Sequence, residues 1–113
     1  MANTYLLQVA YTSETWANFV AEPKSRLDAV RPAIEKLGGT ILHGWFAFGD
    51  YDLIAVLEMP GNVEAAAFSV AVSAGGALKS IKTTPLLSLE EGLEALKKAG
   101  TSGYKAPSQV AHA

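Results

Sequence analysis

Residues 40–58, TILHGWFAFGDYDLIAVLE, decide the fold. Two runs rich in β-branched and aromatic residues, 40–48 and 51–58, flank Gly49-Asp50, and two residues of turn chemistry between such runs predict a β-hairpin. Counting outward from that turn pairs Phe48 with Tyr51, Ala47 with Asp52, Trp45 with Ile54, His43 with Val56 and Ile41 with Glu58. Alternation then sorts the side chains onto two faces. One face carries Leu42, Gly44, Phe46, Phe48, Tyr51, Leu53, Ala55 and Leu57 and belongs under helices. The other carries Ile41, His43, Trp45, Ala47, Asp52, Ile54, Val56 and Glu58. This second face is too apolar to stand in water and too polar for a plain core, so it suits a surface closed by another subunit around a small chamber.

The flanking segments complete an alternating order. Residues 3–11, NTYLLQVAY, read as a strand. Its alternation puts Tyr5, Leu7 and Val9 with the core, and Leu6, Gln8 and Ala10 with the mixed face. Ser13 is the expected N-cap of a helix bearing Trp16, Phe19 and Val20, broken at Pro23. Leu27, Val30, Ile34 and Leu37 recur every three or four residues and predict a second helix, kinked at Pro32 and stopped by Gly38-Gly39. Asn62 is placed to cap a third helix reaching Ser73, with Gly75-Gly76 as its stop. Residues 77–84 form a weaker strand whose two faces read alike, leaving Lys82 on either. Ser88-Leu89-Glu90-Glu91 is a capping box opening a helix with Leu89, Leu93 and Leu96 on one side. The order is β-α-β-β-α-β plus a C-terminal helix, the ferredoxin-like α+β pattern. Residues 3–98 are the expected domain and 99–113 a tail, which contains His112.

Composition narrows the function classes. The chain has 113 residues, no cysteine, 9 Lys plus Arg against 11 Asp plus Glu, and a net charge of −2. Without cysteine there is no disulfide, thiolate metal site or cysteine nucleophile. No basic stripe predicts a nucleic-acid partner, and no apolar run approaches the roughly 20 residues of a membrane span. The opening residues lack a basic n-region and a long apolar run, so the expected location is the cytoplasm. Half of the residues are hydrophobic and only 18% charged. A domain this short buries only about two-thirds of its unfolded surface, so that excess predicts an oligomer interface or an internal pocket.

Gly49-Asp50-Tyr51-Asp52, following an aromatic strand, resembles the signature of the GYD-domain family. Leu27 within SRLDAV, Lys36-Leu37-Gly38-Gly39 and Ile81-Lys82-Thr83-Thr84 extend the resemblance over roughly residues 3–97. The resemblance implies a dimeric α/β-barrel, in which two sheets pack through the faces their helices leave free. Relatives by fold include cofactor-independent oxygenases, muconolactone-type isomerases and haem-handling proteins. It brings no catalytic residues to carry over, and fold alone does not decide function.

The chemistry-bearing residues are few. His43 is the only histidine before the tail, and imidazole is the side chain suited to acid–base work near neutral pH; the alternative is a packed, hydrogen-bonded strand histidine. Asp52 and Glu58 share its face and are its candidate aides. Asp52 reads equally as a carboxylate that stabilises the turn by accepting backbone amides, and Glu58 as a solvated or inter-subunit charge. Trp45 and Tyr11 are candidate walls for a planar ligand, and Gln8 and Lys82 candidate polar contacts. No cluster has metal-ligand spacing, and no cofactor motif is present. The expected activity is binding of a small metabolite by a homodimer, with cofactor-independent isomerase, lyase or oxygenase chemistry at His43. The alternative is a non-catalytic sensing or interaction module whose mixed face is only a dimer interface.

Overall fold

The computed structural model describes residues 2–109, so His112 lies outside the described residues. Strand β1 (Asn3–Tyr11) is followed by helices α1 (Ser13–Ala21) and α2 (Arg26–Lys36). Strands β2 (Thr40–Phe46) and β3 (Leu53–Met59), helix α3 (Asn62–Ala74), strand β4 (Leu78–Leu86) and helix α4 (Leu89–Gly100) complete the order. The strands form one antiparallel sheet, β2-β3-β1-β4. This is the ferredoxin-like α+β arrangement.

The core obeys the two-residue period of a strand. Tyr5, Leu7, Val9 and Tyr11 of β1 and Leu53, Ala55, Leu57 and Met59 of β3 are all buried, against Ile34 of α2 and Ala65 and Phe68 of α3. Burying each large apolar side chain contributes roughly 1.5–3 kcal/mol, so this one face carries most of the stability. The Tyr5 hydroxyl donates to Asn62 Oδ1 at 2.6 Å, and the Ser69 and Thr83 hydroxyls meet at 2.8 Å. These two links fix α3 over the sheet. Gly44 lets α2 lie against β2, because a Cβ there would run into the Leu27 side chain.

Local signals set the helix ends, with two shifts of one residue. Thr12, not Ser13, caps α1 by accepting from the Thr15 amide. Gly61, not Asn62, is the N-cap of α3, and the Asn62 side chain is engaged by Tyr5 instead. Helix α2 runs through Pro32 and ends in a Schellman turn. There Gly38, at φ +88°, and Gly39 donate to the carbonyls of Glu35 and Ile34. The capping box of α4 is present, with Ser88 Oγ accepting from the Glu91 amide and Glu91 Oε1 from the Ser88 amide, both at 3.0 Å.

The hairpin keeps the predicted register in its middle and loses it at both ends. His43 lies opposite Val56 and Trp45 opposite Ile54, as counted. A bulge between Ile41 and His43 then moves Ile41 opposite Leu57, with Thr40 opposite Glu58. Ile41 therefore packs against the core, while Leu42 is 42% exposed, the reverse of the alternation reading. At the turn, Ala47 N donates to Asp52 O at 2.8 Å, but the chain beyond leaves the ladder. Phe48 is fully exposed rather than buried. The connection is a wider loop in which Gly49 sits at φ +131°, a conformation only glycine adopts readily.

Helix α4 stands apart. None of its residues is buried, and Leu89, Leu93 and Leu96 are 91%, 59% and 70% exposed. The radius of gyration is 18.6 Å and the longest dimension 64 Å. A compact chain of this length would measure roughly 13 Å. The sheet and helices α1–α3 make the compact body, and α4 extends from it.

Candidate functional site

Among the described residues, the side of the sheet away from α2 and α3 is only partly covered: Leu6, Gln8, Ile54 and Val56 are half-buried, His43, Trp45 and Lys82 exposed, and the small Ala10 alone is buried. The ladder pairs line its residues up in transverse rows. One row runs Trp45, Ile54, Gln8, Lys82; the next runs His43, Val56, Leu6, Thr84; a third runs Thr40, Glu58, Thr4, Leu86. Three expected ligand contacts, Trp45, Gln8 and Lys82, thus share one row across all four strands. Neighbouring strands lie roughly 4.8 Å apart, so the indole and the ammonium root about 14 Å from each other, with Ile54 and Gln8 between. The pairing also settles β4: Lys82 stands on the open face and Ile81 on the helix side. His43 and Trp45 alternate along β2 and stack, ring centroids 5.7 Å apart and planes 20° from parallel. Trp45 is 55% exposed.

The acid–base set expected around His43 is not brought together within one chain. Glu58 pairs with Thr40, one row from His43, and no ion pair joins the two among the described residues. Asp52 is occupied elsewhere. Its Oδ2 accepts from the Tyr11 amide at 2.9 Å and from Trp16 Nε1 at 3.3 Å, while its own amide donates to Val9 O at 2.7 Å. The turn-carboxylate reading of Asp52 had the right kind of bond but the wrong partners. The carboxylate ties the hairpin to the end of β1 and to α1, which are 41 and 36 residues away in sequence.

Tyr11 does not wall a pocket with Trp45. Its ring lies on the helix side, where it meets Trp16 and Phe19 in edge-to-face contacts with centroids 5.5 and 5.1 Å away. That packing follows from alternation, since Tyr11 continues the Tyr5-Leu7-Val9 series. The residue is 4% exposed, and its buried hydroxyl has no hydrogen-bond partner among the described residues. Burial pushes the phenol up to about 12, with the Arg26 guanidinium pulling it down and the Asp52 carboxylate pushing it up by lesser amounts. Tyr11 lines a cavity between the sheet and helices α2 and α3, walled by Leu7, Val9, Phe68, Val72 and Ile81, with Arg26 beside it. Sequence reasoning placed the chamber on the open face and missed this one. The signal was the parity of Tyr11 within β1.

Among the described residues, no three His, Asp or Glu side chains converge as a metal site, and no helix is long and apolar enough to cross a membrane. A comparison with curated proteins gives no match. The family model of the GYD domain matches residues 5–96, through both strands of the hairpin and all four strands of the sheet, and the chain belongs to the GYD-domain family.

Proposed function

We propose that this GYD domain works as a homodimer that holds a small metabolite, the two copies meeting through the open faces of their sheets. The observation that carries the reading is the row Trp45–Ile54–Gln8–Lys82, with the His43–Trp45 stack at one end. A single chain leaves Leu6, Ile54 and Val56 only half-buried and Trp45 exposed, and sheets packed face to face lie roughly 10 Å apart. Between two such faces the stacked rings offer a flat apolar wall, Gln8 a neutral donor and acceptor, and Lys82 a cation for a carboxylate. Helix α4 supports the same reading. An isolated helix of 12 residues is marginal in water, and its exposed leucines would be covered in an assembly.

Binding outranks catalysis on this geometry. Among the described residues, His43 is the only imidazole, and Asp52 is spent on Tyr11 and Trp16. The second reading, a module whose open face serves only as an interface, is favoured by that same absence of an assembled relay. Native mass spectrometry separates the two. The binding reading expects a small compound to travel with the dimer, to be released on denaturation, and to be lost from Trp45→Ala and Lys82→Gln. A dimer that carries nothing, and that no small carboxylate loads, leaves the interface reading. Where a compound is found and converted, unimpaired turnover by His43→Ala would remove the acid–base role.

A further inference from the structure

Helix α4 is amphipathic, yet none of its residues is buried. Its exposed Leu89, Leu93 and Leu96, continued by Gly100, recur at spacings of four, three and four residues, the seam of a coiled-coil helix. Gly92 stands beside that seam. A Cβ built there meets nothing within 4 Å, so no contact within the chain asks for glycine at that place. Glycine is unfavourable inside a helix, and this helix is already marginal at 12 residues.

The charges supply the second observation. At about 100° per residue the two flanks of the seam differ. Glu90 and Lys97 lie along one flank, Gly92 and Ala99 along the other. Glu94 and Lys98 lie on the far side of the helix and pair with each other at 3.9 Å. Glu90 and Lys97 form no ion pair among the described residues. One turn on from Glu90 stands Glu94, a like charge.

We propose that α4 docks antiparallel against α4 of a second copy, across a two-fold axis. In that orientation like flanks face each other. Glu90 meets the partner's Lys97, and Lys97 meets the partner's Glu90, while the Gly92–Ala99 flanks let the backbones approach. In a parallel pair each charged flank would face the small one, and neither charge would find a partner. The leucines close the seam, Leu93 lying opposite the partner's Leu96. Such a contact uses the same patch on both copies and is complete with two. Its surface is separate from the open sheet face, so it joins the proposed sheet dimers rather than forming them. Three leucines from each copy, on helices roughly 18 Å long, fall well short of the roughly 1,200 Å² that a stable interface buries. The pairing is therefore weak, with a dissociation constant on the order of 100 µM.

The test is sedimentation equilibrium of the full-length protein from low to high micromolar concentration. The mass at the low end reports on the open face, and the rise above it reports on α4. The proposal expects that rise in the wild type and equally in Ile54→Lys, where a charge blocks the open face. Leu93→Ala places a strong helix former in the seam and removes its central contact, so it should abolish the rise. Glu90→Lys and Lys97→Glu should each weaken it about tenfold, since two opposed pairs become two like-charged ones. Mixed in equal amounts, those two variants should recover it, because each supplies the charge the other lacks. Glu94→Lys and Lys98→Glu make the same charge changes on the far side and should leave it intact. No rise in either the wild type or Ile54→Lys would overturn the proposal. So would a rise that survives Leu93→Ala, or far-side variants as damaging as Glu90→Lys. A rise lost on Val70→Asp, in the exposed outer face of α3, would put α3 in the contact and overturn it as well.

Discussion

The two faces of one sheet, built from alternate residues of the same strands, meet opposite fates. On the helix side, Leu57 is 2% and Ala55 0% exposed beneath helices that the same chain supplies. On the other side Val56 and Ile54, their immediate neighbours in sequence, are only half-buried, and Trp45 is more than half exposed. The residue types differ little, since Val and Ile are as apolar as Leu. What differs is whether a helix among the described residues covers them. Helices α2 and α3 lie over one side, and α4, the remaining amphipathic helix, does not return to the other. Apolar surface of this kind marks an interaction site, and it is where the proposed homodimer would close.

Mutations sharpen that contrast, beginning with the core. Leu57→Ala should cost about 2–5 kcal/mol, the usual range for truncating a buried leucine, whatever the protein concentration. Val56→Ala, one residue earlier, should cost less than about 1 kcal/mol in dilute protein and more as concentration rises. Chemical denaturation at two protein concentrations reads both. Equal, concentration-independent losses would erase the distinction between the faces.

Next in size is the signature tetrapeptide. Asp52→Ala removes the acceptor shared by the Tyr11 amide and Trp16 Nε1 and should cost about 1–3 kcal/mol. Asp50→Ala, at an exposed position two residues away, should stay within about 0.5 kcal/mol. The same denaturation measurements decide it. Equal effects would mean that Asp52 is only a turn residue.

Tyr11→Phe is expected to stabilise the chain by about 1 kcal/mol, by deleting a buried hydroxyl that lacks a partner. Its pH dependence follows from the raised phenol. With a folded value of about 12 against 10.0 for a free tyrosine, the neutral form is the one the fold favours. That stability is intact below pH 10 and is lost as pH rises from 10 toward 12. Thermal melts across that window should show a decline in the wild type that Tyr11→Phe reduces. An identical decline in both would place the titrating group elsewhere.

The smallest effect concerns α4. Ser88→Ala breaks the capping box and should cost about 1 kcal/mol of helix stability. If α4 docks on a second copy, that loss appears as weaker association, read by dilution. If α4 docks nowhere, only helix content by circular dichroism changes.

How much of this was legible before the structure depends on how local the cause is. The hairpin could be counted from Gly49-Asp50 because its middle pairs follow from alternation alone, and His43–Val56 and Trp45–Ile54 obey it. The bulge could not be read, because Ile41 and Leu42 are equally suited to a core and only the approach of the helix decides between them. The capping box and the Gly38 stop are motifs within five residues and were visible. The partners of Asp52, an amide and an indole dozens of residues away, depend on how α1 closes over the end of β1. Tyr11 sits between these cases. Its face was written in the parity of β1, yet an aromatic residue near a strand end invited a pocket role beside Trp45. Its true surroundings depend on Trp16, Phe19 and Arg26 arriving from two helices.

The central claim is that the open face meets another copy of itself. Light scattering on the full-length protein at micromolar concentration, alongside Ile54→Lys, tests it most directly. The account predicts twice the 11.9 kDa chain mass for the wild type, and a single chain of native secondary structure for the variant, in which a charge stands at the centre of the Trp45–Lys82 row. A wild-type chain of 11.9 kDa, or a variant that still doubles its mass, would contradict it.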